Sequence, residues 1–238
     1  MKKVQILIGI LLFISAVNAQ DINSLLKKAG VKTQDSKSAP ANANIAEGLK
    51  EALIIGAEKG TTLLSQPDAF LANAARKILL PPEATKIENT LRQLGMGKQV
   101  DEAIVSMNRA AEDACKTAAP IFVKAIKEMT LTDAVTILKG SDTAATGYLK
   151  EKTTTPLTAA FRPVIEGALE KTNATKHWNG LVTAYNRFSL KKINPDLAGY
   201  VTERTMQGVY QEIAVEEQNI RKNPAARTTA LLKSVFAN

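Results

Sequence analysis

The stretch GKQVDEAIVSMNRAAEDACKTAAPIFVKAIKEM, Gly97 to Met129, decides the fold class. Its apolar residues Val100, Ile104, Met107, Ala111, Ala114, Ala118, Ile121 and Ala125 recur three or four apart, the period of a continuous helical stripe. Much of that stripe is alanine, and small side chains let a neighbouring helix come close. The pattern predicts one long central helix, kinked at Pro120 where a backbone hydrogen bond is missing.

The polar residues that break the pattern are the informative ones. At about 100° per residue, Val105, Ala119, Val123 and Ile126 form a second apolar flank, and Asn108 and Glu112 fall on that flank. A carboxylate buried there requires a cation or several donors. Arg109 is the nearest cation along the chain.

A second long helix shows the same violation. It is expected from Pro195 to about Lys222, before Asn223-Pro224, with proline suited to a helix start and unable to continue one. Met206, Val209, Tyr210, Ile213 and Ile220 form its apolar face, and Glu217 sits among them with Arg221 one turn on, an i,i+4 pair. The expectation is that the two helices meet, and that Asn108, Arg109, Glu112, Tyr200, Glu217 and Arg221 share one hydrogen-bonded network, structural or ligand-binding. No residue is assigned a catalytic role. An acid/base hydrolase using Glu112 and Glu217 is the alternative.

Working outward, a helix is expected from about Ile45 to Leu64, with Gly48, Gly56 and Gly60 sharing a face for close helix contact. Pro67-Asp68 opens a short helix that Leu80-Pro81-Pro82 stops. Another runs from Pro82 to Leu94, ended by Gly95. Thr132 caps Asp133 to Lys139, closed by Gly140, and Ser141 or Asp142 caps DTAATGYLKEK. TTTPLTAAFRPVIEGALEK makes a further helix bent near Pro163, and Asn173 to Asn179 is a turn carrying His177 and Trp178. The whole is all-α, a single multi-helix domain around a long central helix, with no β-sheet.

The chain opens as a secretory leader. Met1-Lys2-Lys3 is basic, Val4 to Val17 is apolar, and Val17-Asn18-Ala19 offers small residues for cleavage after Ala19. The run is shorter than the roughly 20 residues a membrane span needs, so residues 1–19 read as a signal peptide, 20–44 as a flexible segment, and 45–238 as the helical domain. Loss of Lys2 and Lys3 reduces 31 basic residues to 29 against 23 acidic, a net +6. Those charges are scattered and aromatics are sparse, which argues against a nucleic-acid groove. Cys115 is the only cysteine and lies among alanines, as a buried filler would. One histidine excludes the usual two-histidine metal sites, and Gly95 and Gly97 make no phosphate loop, lacking a preceding strand and a third glycine. No cofactor is read.

Several blocks carry a family resemblance: LPP at Leu80–Pro82, MNRAAEDA at Met107–Ala114, MTLTDAVTILKGSDTAATGYL at Met129–Leu149, and the ending from Tyr200 to Phe236. Over roughly Asn44 to Phe236 the chain resembles a family of exported bacterial proteins known as domain-of-unknown-function family 4197. The resemblance implies one all-helical domain in a bacterial, Gram-negative envelope, and it supplies no activity. Taken together the sequence points to a periplasmic or secreted, non-enzymatic protein that binds a small apolar or amphipathic molecule, or an envelope protein partner.

Overall fold

The computed structural model describes residues 38–223, with side chains from residue 46. The leader, the first part of the 20–44 segment and the last fifteen positions therefore lie outside the described residues. The chain divides into two units, Met1–Ala41 and Asn42–Asn238, and the hydrophobic core belongs to the second. Every regular element among the described residues is helical: α1 Ser38–Leu64, a 3-10 turn Pro82–Ala84, α2 Thr85–Gln93, α3 Gly97–Cys115, α4 Ala118–Lys127, α5 Leu131–Lys139, α6 Ala144–Lys171, α7 Ala174–Phe188 and α8 Leu197–Lys222. None of these helices is long and apolar enough to cross a membrane.

The hub is α6, which packs against α3, α4, α5, α7 and α8. Its buried row Leu149, Thr153, Leu157, Phe161, Ile165 and Leu169 is wholly shielded from solvent, at the four-residue spacing of one helical face. Pro156 and Pro163 lie within this helix on its exposed side. The carbonyls they leave without a donor, Lys152 and Ala159, also face outward, where solvent can satisfy them, so one 28-residue helix replaces the two expected.

The Gly97–Met129 stretch differs in the opposite sense. Where one kinked helix was expected, α3 and α4 are separated at Lys116–Thr117. Pro120 explains the position, because its ring clashes with the carbonyl four residues back, that of Lys116, and its missing N–H falls harmlessly in the first turn of α4. The stripe is otherwise buried, with Met107, Ala111, Ala114 and Ala118 at zero exposure and only Ile121 half-buried. Cys115 is buried there too, and burial pushes its thiol pKa upward, which suits a filler and not a nucleophile.

Three further boundaries moved. α1 starts at Ser38, not near Ile45, because Pro40 falls in its first turn, where no N–H is needed. Gly56 and Gly60 of α1 do meet a neighbour: a Cβ on Gly56 would contact Glu216 and Ile220, and one on Gly60 would come within 3.4 Å of Glu212, all on α8. α5 is capped by Thr130, not Thr132. The Thr130 hydroxyl accepts the Asp133 N–H while the Asp133 carboxylate accepts the Thr130 N–H, a reciprocal capping box. The short helix expected after Pro67-Asp68 does not form. Residues 65–81 are an irregular strap of turns, with Asp68 near its start in a left-handed conformation (φ 68°).

Candidate functional site

An irregular strap on a helical body raises an immediate question of where its backbone hydrogen bonds go. Ile78 is 1% exposed, and Asn108 of α3, itself fully buried, pairs with it twice. The Asn108 Oδ1 accepts the Ile78 N–H at 2.9 Å, and its Nδ2 donates to the Ile78 carbonyl at 2.8 Å and to the Ile104 carbonyl at 2.7 Å. One turn on, Glu112 accepts the Phe70 N–H at 3.1 Å and Arg109 Nη1 at 2.7 Å, and Arg109 Nη2 reaches Asp68 at 2.7 Å. Tyr200 of α8 donates to the Leu79 carbonyl at 3.0 Å, and burial raises its phenol pKa. Asn108, Arg109, Glu112 and Tyr200 thus all act on one element, the strap.

Glu217 belongs to a different cluster. Its carboxylate accepts the N–H groups of Ala145 (3.0 Å) and Thr146 (2.9 Å) and the Thr146 hydroxyl (2.8 Å). Arg221 grips the same carboxylate through Nε at 3.0 Å and Nη2 at 2.9 Å. Ala145 and Thr146 open α6, whose local N-cap, Thr143, makes no side-chain cap; neither Ser141 nor Asp142 takes that part. Arg221 also donates to the Ile137 carbonyl at 2.8 Å, at the end of α5. An acid therefore meets a helix start and a guanidinium meets a helix end, each the sign the helix dipole favours. The single shared network is corrected accordingly. Glu112 and Glu217 are 3% and 5% exposed, each beside its own arginine and bonded to a different stretch of backbone among the described residues. A buried carboxylate offered free backbone N–H groups nearby does not need a distant partner.

Sequence reasoning missed a third contact on the strap. Arg76 forms a salt bridge with Glu212 of α8, with side chains only 14% and 8% exposed, and Phe70 packs so tightly on α8 that a Cβ at Gly208 would lie 2.7 Å from its ring. The signal was present in the run Thr205, Gly208, Glu212, a stripe of small and polar residues three and four apart that marks close approach. The apolar stripe beside it drew attention away.

Neither carboxylate borders the cleft of about 1540 Å³ that opens between α2, α3, the end of α6 and the first half of α7. Its walls are apolar, including Ile87, Leu91, Val105, Ala168, Trp178 and Leu181. Two features mark the gap: Ile87 and Leu91 on one face of α2 reach the core but stay only half-buried, and Val105 on the α3 flank is 40% exposed. The rim is charged, but its acids are engaged: Asp101 with Arg92, Glu102 with Lys98, Asp113 with Lys116. On the opposite lip Lys171 and Lys176, beside His177, form no ion pair within the described residues, and the two ammonium groups leave that lip positive. His177 was expected in a turn. Only Asn173 is left-handed there (φ 55°), and α7 begins at Ala174, so His177 and Trp178 stand on its first turns at the cleft. The Trp178 indole N–H is buried without a hydrogen-bond partner.

The family described as protein of unknown function, DUF4197, has a sequence model that matches residues 39–237. No curated protein and no solved structure matches the chain. A match over most of the length settles membership, and the chain belongs to that family.

Proposed function

We propose that this member of the DUF4197 family is an exported, non-enzymatic binding protein that holds a small amphipathic molecule in the cleft between α2, α3, α6 and α7. The observation that carries the reading is an apolar-walled cavity of about 1540 Å³ beneath a helix, α2, that buries no residue of its own. Ligand sites are concave and mostly apolar, with a few polar groups that set orientation. An apolar chain lying along Ile87, Leu91, Val105 and Leu181 would place a polar end at Lys171, Lys176 and His177. The acid/base hydrolase alternative draws no support from this geometry, because Glu112 and Glu217 are committed to backbone N–H groups and arginines away from the cleft. Export rests on the leader at residues 1–19.

Trp178 is the only tryptophan and lines the cleft, so its emission reports occupancy directly. Titration with a medium-chain fatty acid should shift that emission saturably. Val105→Phe, which places a ring in the gap, should weaken binding about tenfold, in line with the roughly 1.5 kcal/mol at the lower end of what one buried apolar side chain contributes. Lys171→Gln with Lys176→Gln should weaken the acid but not the alcohol of equal chain length. Trp178 emission that stays fixed for both amphiphiles, with no small molecule retained in native mass spectrometry, would overturn the reading.

A further inference from the structure

Away from the cleft, α7 ends in a tip that the body does not use. Residues 187–192 read Arg-Phe-Ser-Leu-Lys-Lys. Phe188 is 91% exposed and Leu190 104%, the highest values among the large hydrophobic residues described. The tip is nevertheless built. The Asn186 amide closes its neck, accepting the Ile193 N–H at 2.8 Å and donating to the Ile193 carbonyl at 2.8 Å, and Ile193 is 4% exposed. Inside the loop the Ser189 hydroxyl donates to the Lys191 carbonyl at 2.8 Å, and the Lys192 ammonium donates to the Asn186 carbonyl. A braced loop that points two bulky apolar side chains into water is costly unless something covers them.

The chemistry around those side chains identifies the cover. Arg187, Lys191 and Lys192 flank them with no acidic residue between, and neither Arg187 nor Lys191 forms an ion pair within the described residues. A protein interface needs roughly 800 Å² per partner, far more than two side chains on a convex point present. A lipid bilayer makes no such demand: apolar residues enter the headgroup boundary while neighbouring cations meet lipid phosphates. We propose that this tip docks the protein on an anionic bilayer surface, with Phe188 and Leu190 inserted and Arg187, Lys191 and Lys192 against the headgroups. The inference is independent of what the cleft holds.

Co-sedimentation of the full chain with vesicles tests it, comparing phosphatidylcholine alone with phosphatidylcholine mixed with phosphatidylglycerol. The wild type should partition about tenfold or more in favour of the anionic vesicles, given the strength of a few surface cations. Phe188→Ser with Leu190→Ser should lower binding to anionic vesicles about tenfold. Arg187→Gln with Lys191→Gln, which leaves the Asn186 brace untouched, should remove most of the anionic preference. Far-UV circular dichroism should be the same for all three proteins. Equal binding of the wild type to both vesicles, or unchanged binding of the apolar double variant, would overturn the proposal. So would a change in oligomeric state of that variant without lipid while its vesicle binding stays intact, since the tip would then be a protein contact.

Discussion

Glu217→Gln removes a charge while keeping side-chain volume, and so isolates what the carboxylate does. Oε1 accepts from Ala145 and Arg221, and Oε2 from the Thr146 N–H and hydroxyl. An amide has only one accepting oxygen, so whichever way the glutamine turns, its NH₂ faces donors on one side. Turned toward Thr146, the NH₂ can donate to the Thr146 hydroxyl, but the buried Thr146 N–H loses its acceptor, at about 1 to 3 kcal/mol. The Arg221 side chain, 12% exposed, loses the carboxylate it grips, and breaking a buried ion pair costs about 3 to 5 kcal/mol in total. These figures describe the same loss from two sides and should not be added. The expected destabilisation is therefore about 3 kcal/mol, or roughly 6 to 12 °C in Tm for a body of this size. Urea unfolding followed by circular dichroism measures it, and the midpoint should fall at an unchanged slope. Hydrogen exchange should accelerate most at Ala145 and Thr146. A midpoint equal to wild type, or exchange at those amides left as slow as before, would refute the assignment of Glu217 as the cap of α6.

Three other outcomes follow from the strap and the α8 entry. Asn108→Ala leaves the Ile78 N–H and carbonyl buried without partners and should cost about 3 kcal/mol; protection of the Ile78 amide should drop with it, and unaltered protection would exclude the side chain as its anchor. Gly208→Ala drives a Cβ against the Phe70 ring and should cost about 1 to 3 kcal/mol, and Phe70→Leu in the same chain should recover part of that loss in a double-mutant cycle; additive losses would mean the two residues do not touch. The Arg162 guanidinium beside Asp196 holds that carboxyl below its usual range, helped by the Gly199 N–H and opposed by partial burial. The folded protein then takes up this proton less readily than the unfolded chain, so the stability present above about pH 4 is lost as pH falls further. Asp196→Asn should lower Tm slightly at neutral pH and flatten its decline in acid, an effect kept small by the 40% exposure of the side chain.

The helical wheel was enough to pick out Asn108, Glu112 and Glu217, because a polar side chain on an apolar face is visible in spacing alone. The i,i+4 relation of Glu217 to Arg221 was legible for the same reason. Their other partners were not legible. Asn108 and Glu112 serve the backbone of Ile78 and Phe70, and Glu217 serves the backbone of Ala145 and Thr146. A main-chain N–H carries no mark in a sequence, so the reading supplied the visible alternative, a second buried acid. Proline punctuation alone suggested a helix between Pro67-Asp68 and Leu80, but the order of that stretch comes instead from groups far along the chain. The cleft was hidden for the converse reason: Ile87, Leu91 and Val105 have the spacing of core residues, and nothing in a periodic pattern tells a face fully covered by another helix from one left half-covered at a cleft.

Stability and the proposed binding thus fall on nearly separate sets of residues, and Arg109 is where they meet. Its guanidinium lines the cleft while bridging Glu112 to Asp68 and so holding the start of the strap. An anionic group drawn deep into the cleft would compete with those two carboxylates for the same cation, and the strap carries Leu80 in the cleft wall. Removing Arg109 would therefore weaken the strap and alter the cleft together, and a loss of binding in that variant could not be assigned to contact with the ligand. Val105, Lys171 and Lys176 border the cleft without any strap bond, which makes them the positions at which occupancy can be tested while the fold stays as it is.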